Sequence, residues 1–182
     1  MMDLQAIKDA IPDYAKDLRL NLDAVINRSS LAPQHAAGAA LAAAFAARSS
    51  ALVAALRDDD SLDPAHRHAA LSAAALMGMN NVWYPFVEMA ADPELKALRP
   101  ELRMNAYANH GGVDRTSFEL YALAASVVGR CEFCIESHYR LLRENGLTTQ
   151  QRRDVGRIAA VVNAVAQVLV AETVTAPESV AA

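Results

Sequence analysis

Aromatic residues fill only 5% of the 182 positions, and glycine and proline contribute seven each. With so few strand-favouring aromatics and turn formers, a sheet-rich fold is excluded as the first expectation. No run of lysine or arginine occurs, and none alternates with aromatic residues. The 17 basic and 21 acidic side chains leave a net charge of −4, so nucleic acid is not an expected partner. Long apolar runs are missing too. Residues 36–47 are too few and too small-sided to span a bilayer, and residues 155–171 are interrupted by Arg157, Asn163 and Gln167. The first five residues, Met1 to Gln5, carry neither a basic region nor an apolar core of a signal peptide. No membrane partner and a cytoplasmic location are expected. Cysteine is nearly absent, at two residues, which excludes a disulfide scaffold.

Alanine, by contrast, fills about a fifth of the chain, and apolar residues make up 53% of it. Alanine is the best helix former, so the expected fold is all-α, with a closely packed core because small side chains fill little space. The length suits one domain. We read residues 1–172 as a single helical unit and 173–182 as a frayed tail.

Helical period and capping signals divide the chain further. Short amphipathic pieces cover residues 4–10 and 14–26. An Ala-rich helix follows Ser29-Ser30-Leu31-Ala32-Pro33 and runs to about Ala47. Ser49-Ser50 opens another, ending in Asp58-Asp59-Asp60. Asp63-Pro64 reads as N-cap plus first helical residue, while Gly78, Asn80 and Asn81 weaken the helix and Trp83-Tyr84-Pro85 predicts a break or kink, with both Asn as backbone caps. Asp92-Pro93 and the stretch after Arg99-Pro100 give short helices, and Asn109-His110-Gly111-Gly112 has loop composition. Strong helix returns from Asp114 to Val128, breaks at Gly129-Arg130, and resumes from Cys131 to Glu144. Thr148 opens the last helix, to about Glu172. Leu31-Ala32-Pro33-Gln34, Leu62-Asp63-Pro64-Ala65 and Leu147-Thr148-Thr149-Gln150 each introduce a long helix. Internal duplication and ordinary capping preference explain these starts equally well.

The chemistry gathers at Cys131-Glu132-Phe133-Cys134. In the first turn of a helix, unpaired N–H groups and the positive dipole end favour a thiolate at Cys131. Residues three apart in a helix have Cα atoms ~5 Å apart, inside the ~4.4–6.8 Å range of disulfides. His138 follows Cys134 by four and shares its face, and imidazole is the natural base for a thiol near neutral pH. Glu119, among apolar neighbours on the preceding helix, would orient that imidazole if the two helices fold back on each other. A redox pair is one reading. The same four side chains, Cys131, Cys134, His138 and Glu119, could instead hold zinc, although structural zinc pairs usually sit in turns. The other histidines carry less. His66 and His68 point to different faces, His35 reads as a first-turn surface residue, and His110 as a loop residue. Tyr139 and Arg140 read as helix surface, and Trp83 as core.

Phe118-Glu119, Cys131-x-x-Cys134 and His138 together resemble the alkyl hydroperoxidase AhpD family, within the carboxymuconolactone-decarboxylase-like superfamily. His68-Ala69-Ala70-Leu71, residues 77–82, Leu98-Arg99-Pro100 and residues 102–105 carry the likeness further, over most of residues 1–172. The resemblance implies an all-helical fold, commonly a homotrimer, with no bound cofactor. It implies a thiol-dependent reductase of organic hydroperoxides whose disulfide is re-reduced by dihydrolipoyl groups of a 2-oxoacid dehydrogenase component. Dihydrolipoamide dehydrogenase and NADH would stand upstream, and the peroxiredoxin AhpC downstream. By position, Cys134 would form the sulfenic acid and the mixed disulfide with AhpC. Cys131 would be proton donor and disulfide partner, with Glu119 and His138 the relay that activates Cys134. Phe133 departs from members that carry a histidine there, so any relay through that position is absent. A non-redox, decarboxylase-type relative is the third reading, in which the cysteine pair would be incidental.

Overall fold

The computed structural model describes residues 4–175. Among them the regular elements are all helical: α1 (Leu4–Asp9), α2 (Lys16–Asn27), α3 (Pro33–Ala46), α4 (Ser50–Arg57), α5 (Pro64–Ala90), α6 (Pro93–Ala97), α7 (Asn105–Ala108), α8 (Arg115–Gly129), α9 (Glu132–Glu144) and α10 (Thr149–Thr175). Two single 3-10 turns, Asp13–Ala15 and His110–Gly112, join them. The last helix passes its expected end at Glu172, and the remaining residues of the predicted tail lie outside the described residues.

Local chemistry sets most starts. Ser49, Asp63, Asp92 and Asp114 each cap a helix by accepting a backbone N–H, from Leu52, His66, Glu94 and Ser117 respectively. Proline stands in the first turn of α3, α5 and α6, where its missing N–H costs nothing.

The centre of the molecule is the trio α3, α5 and α8, which pack most closely on one another. Every residue of α3 from Ala36 to Ala44 is buried, as a helix apolar on all sides must be. Small side chains let the axes approach. At Gly38 an added Cβ would overlap the Tyr121 ring of α8, so glycine makes room for one of the largest buried side chains. Helix α10 is long and apolar enough to cross a membrane by composition alone. Its Val155, Ile158, Ala159, Val162, Val165 and Ala166 are instead buried in the core, against α2, α3 and α8.

The expected break at Trp83-Tyr84-Pro85 does not occur, because α5 runs through Pro85 to Ala90. Asn81 does not cap a helix end; its Nδ2 donates to the Ala125 carbonyl of α8 at 3.1 Å. Asn80 is buried inside the helix. Tertiary contact outweighs the local weakness. Gly129 is likewise not the left-handed residue that ends α8; that residue is Arg130, at φ 55°. An added Cβ at Gly129 would overlap Asn81, so this glycine serves helix contact instead.

Helix α10 is pinned at its start by Asp154, only 2% exposed. Its carboxylate accepts from Ser30 N (2.9 Å) and Ser30 Oγ (2.8 Å) and pairs with Arg153 and Arg157, each at 3.1 Å. Burial pushes this carboxyl up, but the Ser30 bonds and the two guanidiniums outweigh it and hold it well below the usual carboxylate range. The sign follows. The unfolded chain binds the proton more tightly, so the contribution is complete above about pH 4 and is lost as pH falls further. Asp154→Ala should lower stability at neutral pH by about 2 kcal/mol, read as a fall in the urea midpoint at unchanged m-value.

Candidate active site: a disulfide and a buried carboxylate–imidazole pair

Arg130 reverses the chain between α8 and α9, and the two helices pack together. Glu119 lies ten residues before Gly129 and His138 nine after it. The reversal therefore brings them to matching depth. His138 Nδ1 is 2.6 Å from Glu119 Oε2, with the two side chains 6% and 0% exposed.

The other Glu119 oxygen is also engaged. Tyr107, at the end of α7, donates its hydroxyl to Oε1 at 2.5 Å, and Arg115 Nε stands 3.7 Å away. Burial pushes the Glu119 carboxyl up; the bonds from His138 and Tyr107, with the charges of His138 and Arg115, more than offset it and leave it below its ordinary value. Glu119 is thus a carboxylate at neutral pH, able only to accept. The contact with His138 therefore calls for a proton on Nδ1, and in the neutral tautomer of the ring Nε2 is the nitrogen left free to accept one. Nε2 faces the Met77 sulfur at 3.2 Å, a group with no proton to give it. Tyr107 is held protonated by burial and then by its bond to Glu119, both of which raise its pKa.

Cys131 and Cys134 are bonded to each other, with Cα atoms 5.2 Å apart, close to the helical spacing. Cys131 is not in the first turn as expected. It is the N-cap residue of α9, and its sulfur accepts the Cys134 N–H at 3.2 Å; Cys134 occupies the turn. Cys131 is wholly buried, and Cys134 is 3% exposed. A cavity of about 250 Å³ opens beside Cys134 and His138, walled by Asn80, Tyr84, Met104, Tyr107, Phe133 and Ser137. Cys131 does not line it. The exposed Phe133 ring stacks on Tyr84 at 4.3 Å and forms part of the cavity wall. A larger cleft of about 690 Å³ lies along α9 by Arg130, Arg140 and Arg143, and contains none of the four residues singled out above.

The remaining expectations resolve unevenly. His68 is exposed and His66 is half-buried against the Tyr121 hydroxyl at 2.8 Å. His35 is not on the surface. It is half-buried, 2.9 Å from the Ser117 hydroxyl, and burial pushes its pKa down. His110 sits in its 3-10 turn, its ring 6.5 Å from that of Tyr107. Tyr139 and Arg140 are exposed, and Trp83 is half-buried beside Phe86. Tyr107, Arg115 and Met77 also belong to the site, and none of them stands out in the sequence as a site residue. Only Arg115 carries a local signal, four residues before Glu119 on one helix face.

The zinc reading loses its geometry. Among the described residues no group of three or more His, Cys, Asp and Glu is placed to hold a metal. Both Glu119 oxygens and His138 Nδ1 are already spent on one another and on Tyr107.

Comparison with known proteins decides the family. Residues 93–176 match the carboxymuconolactone decarboxylase family. The chain is 47% identical over 173 residues to the alkyl hydroperoxide reductase AhpD of Rhodospirillum centenum, covering 94% of this chain and 92% of that protein. It is 44% identical over 179 residues to the AhpD of Streptomyces coelicolor, with 97% and 100% covered. This chain belongs to the AhpD family. The AhpD of Coxiella burnetii adds a third relative, 42% identical over 177 residues, with 94% and 99% covered. The match to AhpD proteins spans nearly the whole chain and so runs through α8 and α9, the helices that carry the site.

Proposed function

We propose that this AhpD-family chain is a cytoplasmic antioxidant enzyme that reduces organic hydroperoxides with its two thiols. The observation that carries the reading is the buried Glu119–His138 contact of 2.6 Å, set one helical turn from a cysteine that lines a cavity. His138 Nε2 takes the Cys134 proton, and Glu119 balances the imidazolium that results. The Cys134 thiolate attacks the terminal oxygen of R–O–O–H and the O–O bond breaks. The sulfur becomes a sulfenic acid, and the alkoxide leaves as ROH with the proton from His138. Cys131 then condenses with the sulfenic acid, releasing water and closing the disulfide. Two thiols and one hydroperoxide give one disulfide, one alcohol and one water.

The names of the relatives support hydroperoxide reduction; the wider circuit rests on the family resemblance. Dihydrolipoyl groups of a 2-oxoacid dehydrogenase component reopen the disulfide by thiol exchange, with dihydrolipoamide dehydrogenase and NADH behind them, and Cys134 passes electrons to AhpC through a mixed disulfide. The chain itself carries no cofactor in this scheme. Anaerobic reduction of the purified disulfide by dihydrolipoamide, compared with thioredoxin and glutathione, tests the reductant. Fast reduction by dihydrolipoamide alone is the expected result. A reduced protein that consumes no cumene hydroperoxide would overturn the peroxidase reading.

Self-association belongs to the same proposal. Val82, Phe86 and Met89 in the last turns of α5 are 69%, 49% and 79% exposed, an apolar strip that a soluble monomer would not ordinarily leave to water. A homo-oligomer is expected, with three copies as the family's usual number. Light scattering at micromolar concentration should give a multiple of 19.5 kDa, and the monomer mass would refute it.

A further inference from the structure

The wall of the Cys134 cavity concentrates a scarce residue type. The chain holds ten aromatic residues, and three of them, Tyr84, Tyr107 and Phe133, stand among the eight that line this one hollow. Met104 adds a thioether to the wall, a group that packs well on rings. Tyr107 is bonded to Glu119 and so belongs to the relay, which has no use for the other two rings. Tyr84 of α5 and Phe133 in the first turn of α9 stack at 4.3 Å with their planes 26° apart. Phe133 is nonetheless 49% exposed, an apolar ring left open immediately before Cys134 in the chain. The same pair lines a second hollow of about 200 Å³, bordered by Pro85, Glu88 and Arg130. The stack is therefore a wall shared by two cavities and not part of a filled core. Size points the same way. The first cavity, at about 250 Å³, has room for several waters at ~30 Å³ each, far more than a hydroperoxide group needs. Apolar walls favour filling the remainder with an organic body over leaving it to water. Two stacked rings use one face each, and the free face and edges can take a third ring in offset or edge-on contact.

We propose that the Tyr84–Phe133 pair sets the substrate preference of this site by seating an aromatic ring of the hydroperoxide, so that aryl-substituted hydroperoxides are preferred over small alkyl ones. The inference rests on the hydroperoxide reading and adds to it the contact that chooses among hydroperoxides. The pair makes and breaks no bond. With the aryl body held against Phe133, the –O–OH group is kept beside the next residue, Cys134, and the reaction there is the one already written.

The test uses a matched pair of substrates. Cumene and tert-butyl hydroperoxide both carry –O–OH on a tertiary carbon, and cumene hydroperoxide has a phenyl where the other has a methyl. Stopped flow on the fully reduced protein gives a second-order rate constant for each. The parent should favour cumene hydroperoxide by about tenfold or more, and Phe133→Ala should lower that ratio about tenfold. The ratio carries the test, because removing the ring also opens one hollow into the other and changes access for both substrates. Phe133→Tyr should keep the parent's ratio within about twofold. Alanine suits a half-exposed helix position, so the fold should survive. Tyr84→Leu reads the pair from α5 without touching the segment between the cysteines, and should lower the ratio likewise. A parent without preference, or Phe133→Ala and Tyr84→Leu proteins that keep the parent's ratio whatever their absolute rates, would overturn the inference and leave the peroxidase reading standing. A parent inert to both hydroperoxides would overturn the two together.

Discussion

Cys131→Ser, reduced and given one equivalent of cumene hydroperoxide, should stop at a sulfenic acid on Cys134, or at its over-oxidised forms. Cys134→Ser should show much less oxidation of any kind. The asymmetry has two structural sources. Cys134 lines the cavity and Cys131 does not, and Cys134 precedes His138 by one helical turn. An opposing influence acts on Cys131. As N-cap of α9 it sits at the positive end of the helix dipole and accepts the Cys134 N–H, a position that favours negative charge on a sulfur. Access should decide, because a buried sulfur outside the cavity meets no hydroperoxide. Serine is itself a good N-cap, so Cys131→Ser should keep the start of α9 and leave the difference to chemistry. With AhpC present, the same variant should trap the mixed disulfide at Cys134. Mass spectrometry of both variants reads the result. Sulfenic acid on Cys131 in the Cys134→Ser protein, with none on Cys134 in the other, would reverse the roles and give the dipole precedence over the histidine.

The parts of this site that sequence made legible are those governed by contacts within a few residues. The caps at Ser49, Asp63, Asp92 and Asp114 are side chains bonding to backbone two or three positions on, and the Cys131–Cys134 distance is set by helix pitch. The Glu119–His138 contact was legible as a condition, since an acidic residue among apolar neighbours needs a partner and the break near Gly129 allowed a fold-back. What sequence concealed depends on a second helix. The helix α5 is not broken at Trp83-Tyr84-Pro85, and the Asn81 expected to cap an end there reaches the Ala125 carbonyl instead, a bond across 44 positions that no local propensity encodes. Gly129 looked like a helix stop and is a point of close approach for that same asparagine, while Arg130 takes the left-handed conformation. His35 looked like surface because its partner, Ser117, lies 82 positions away. Tyr107 gave no signal because a loop and a 3-10 turn separate it from the carboxylate it holds.

Glu119→Gln should fold like the parent and oxidise roughly ten- to a hundredfold more slowly with hydroperoxide, which is the worth of one hydrogen bond to a charged group, about 1.5–3 kcal/mol. The substitution is nearly isosteric at a position with no exposure, and the amide can still accept from Tyr107 or from His138 Nδ1–H. The charge is lost, and with it one of the two acceptors, since the amide NH2 must face the other donor. In the parent, the carboxylate fixes the His138 proton on Nδ1 and offsets the positive ring that forms when Nε2 takes the thiol proton. With glutamine, the ring is free to adopt either tautomer, and protonating it puts an uncompensated charge into a buried site. The expected signature is therefore a slower thiol at every pH near neutrality. The parent should keep its advantage down through mildly acidic conditions, because the Glu119 carboxyl is held below its ordinary value by His138 and Tyr107 against the opposing effect of burial. Stopped-flow oxidation of the reduced proteins, with circular dichroism to verify the helices, makes the measurement. A variant that reacts as fast as the parent would reduce Glu119 to a packing residue, and the buried bond to His138 to a structural one.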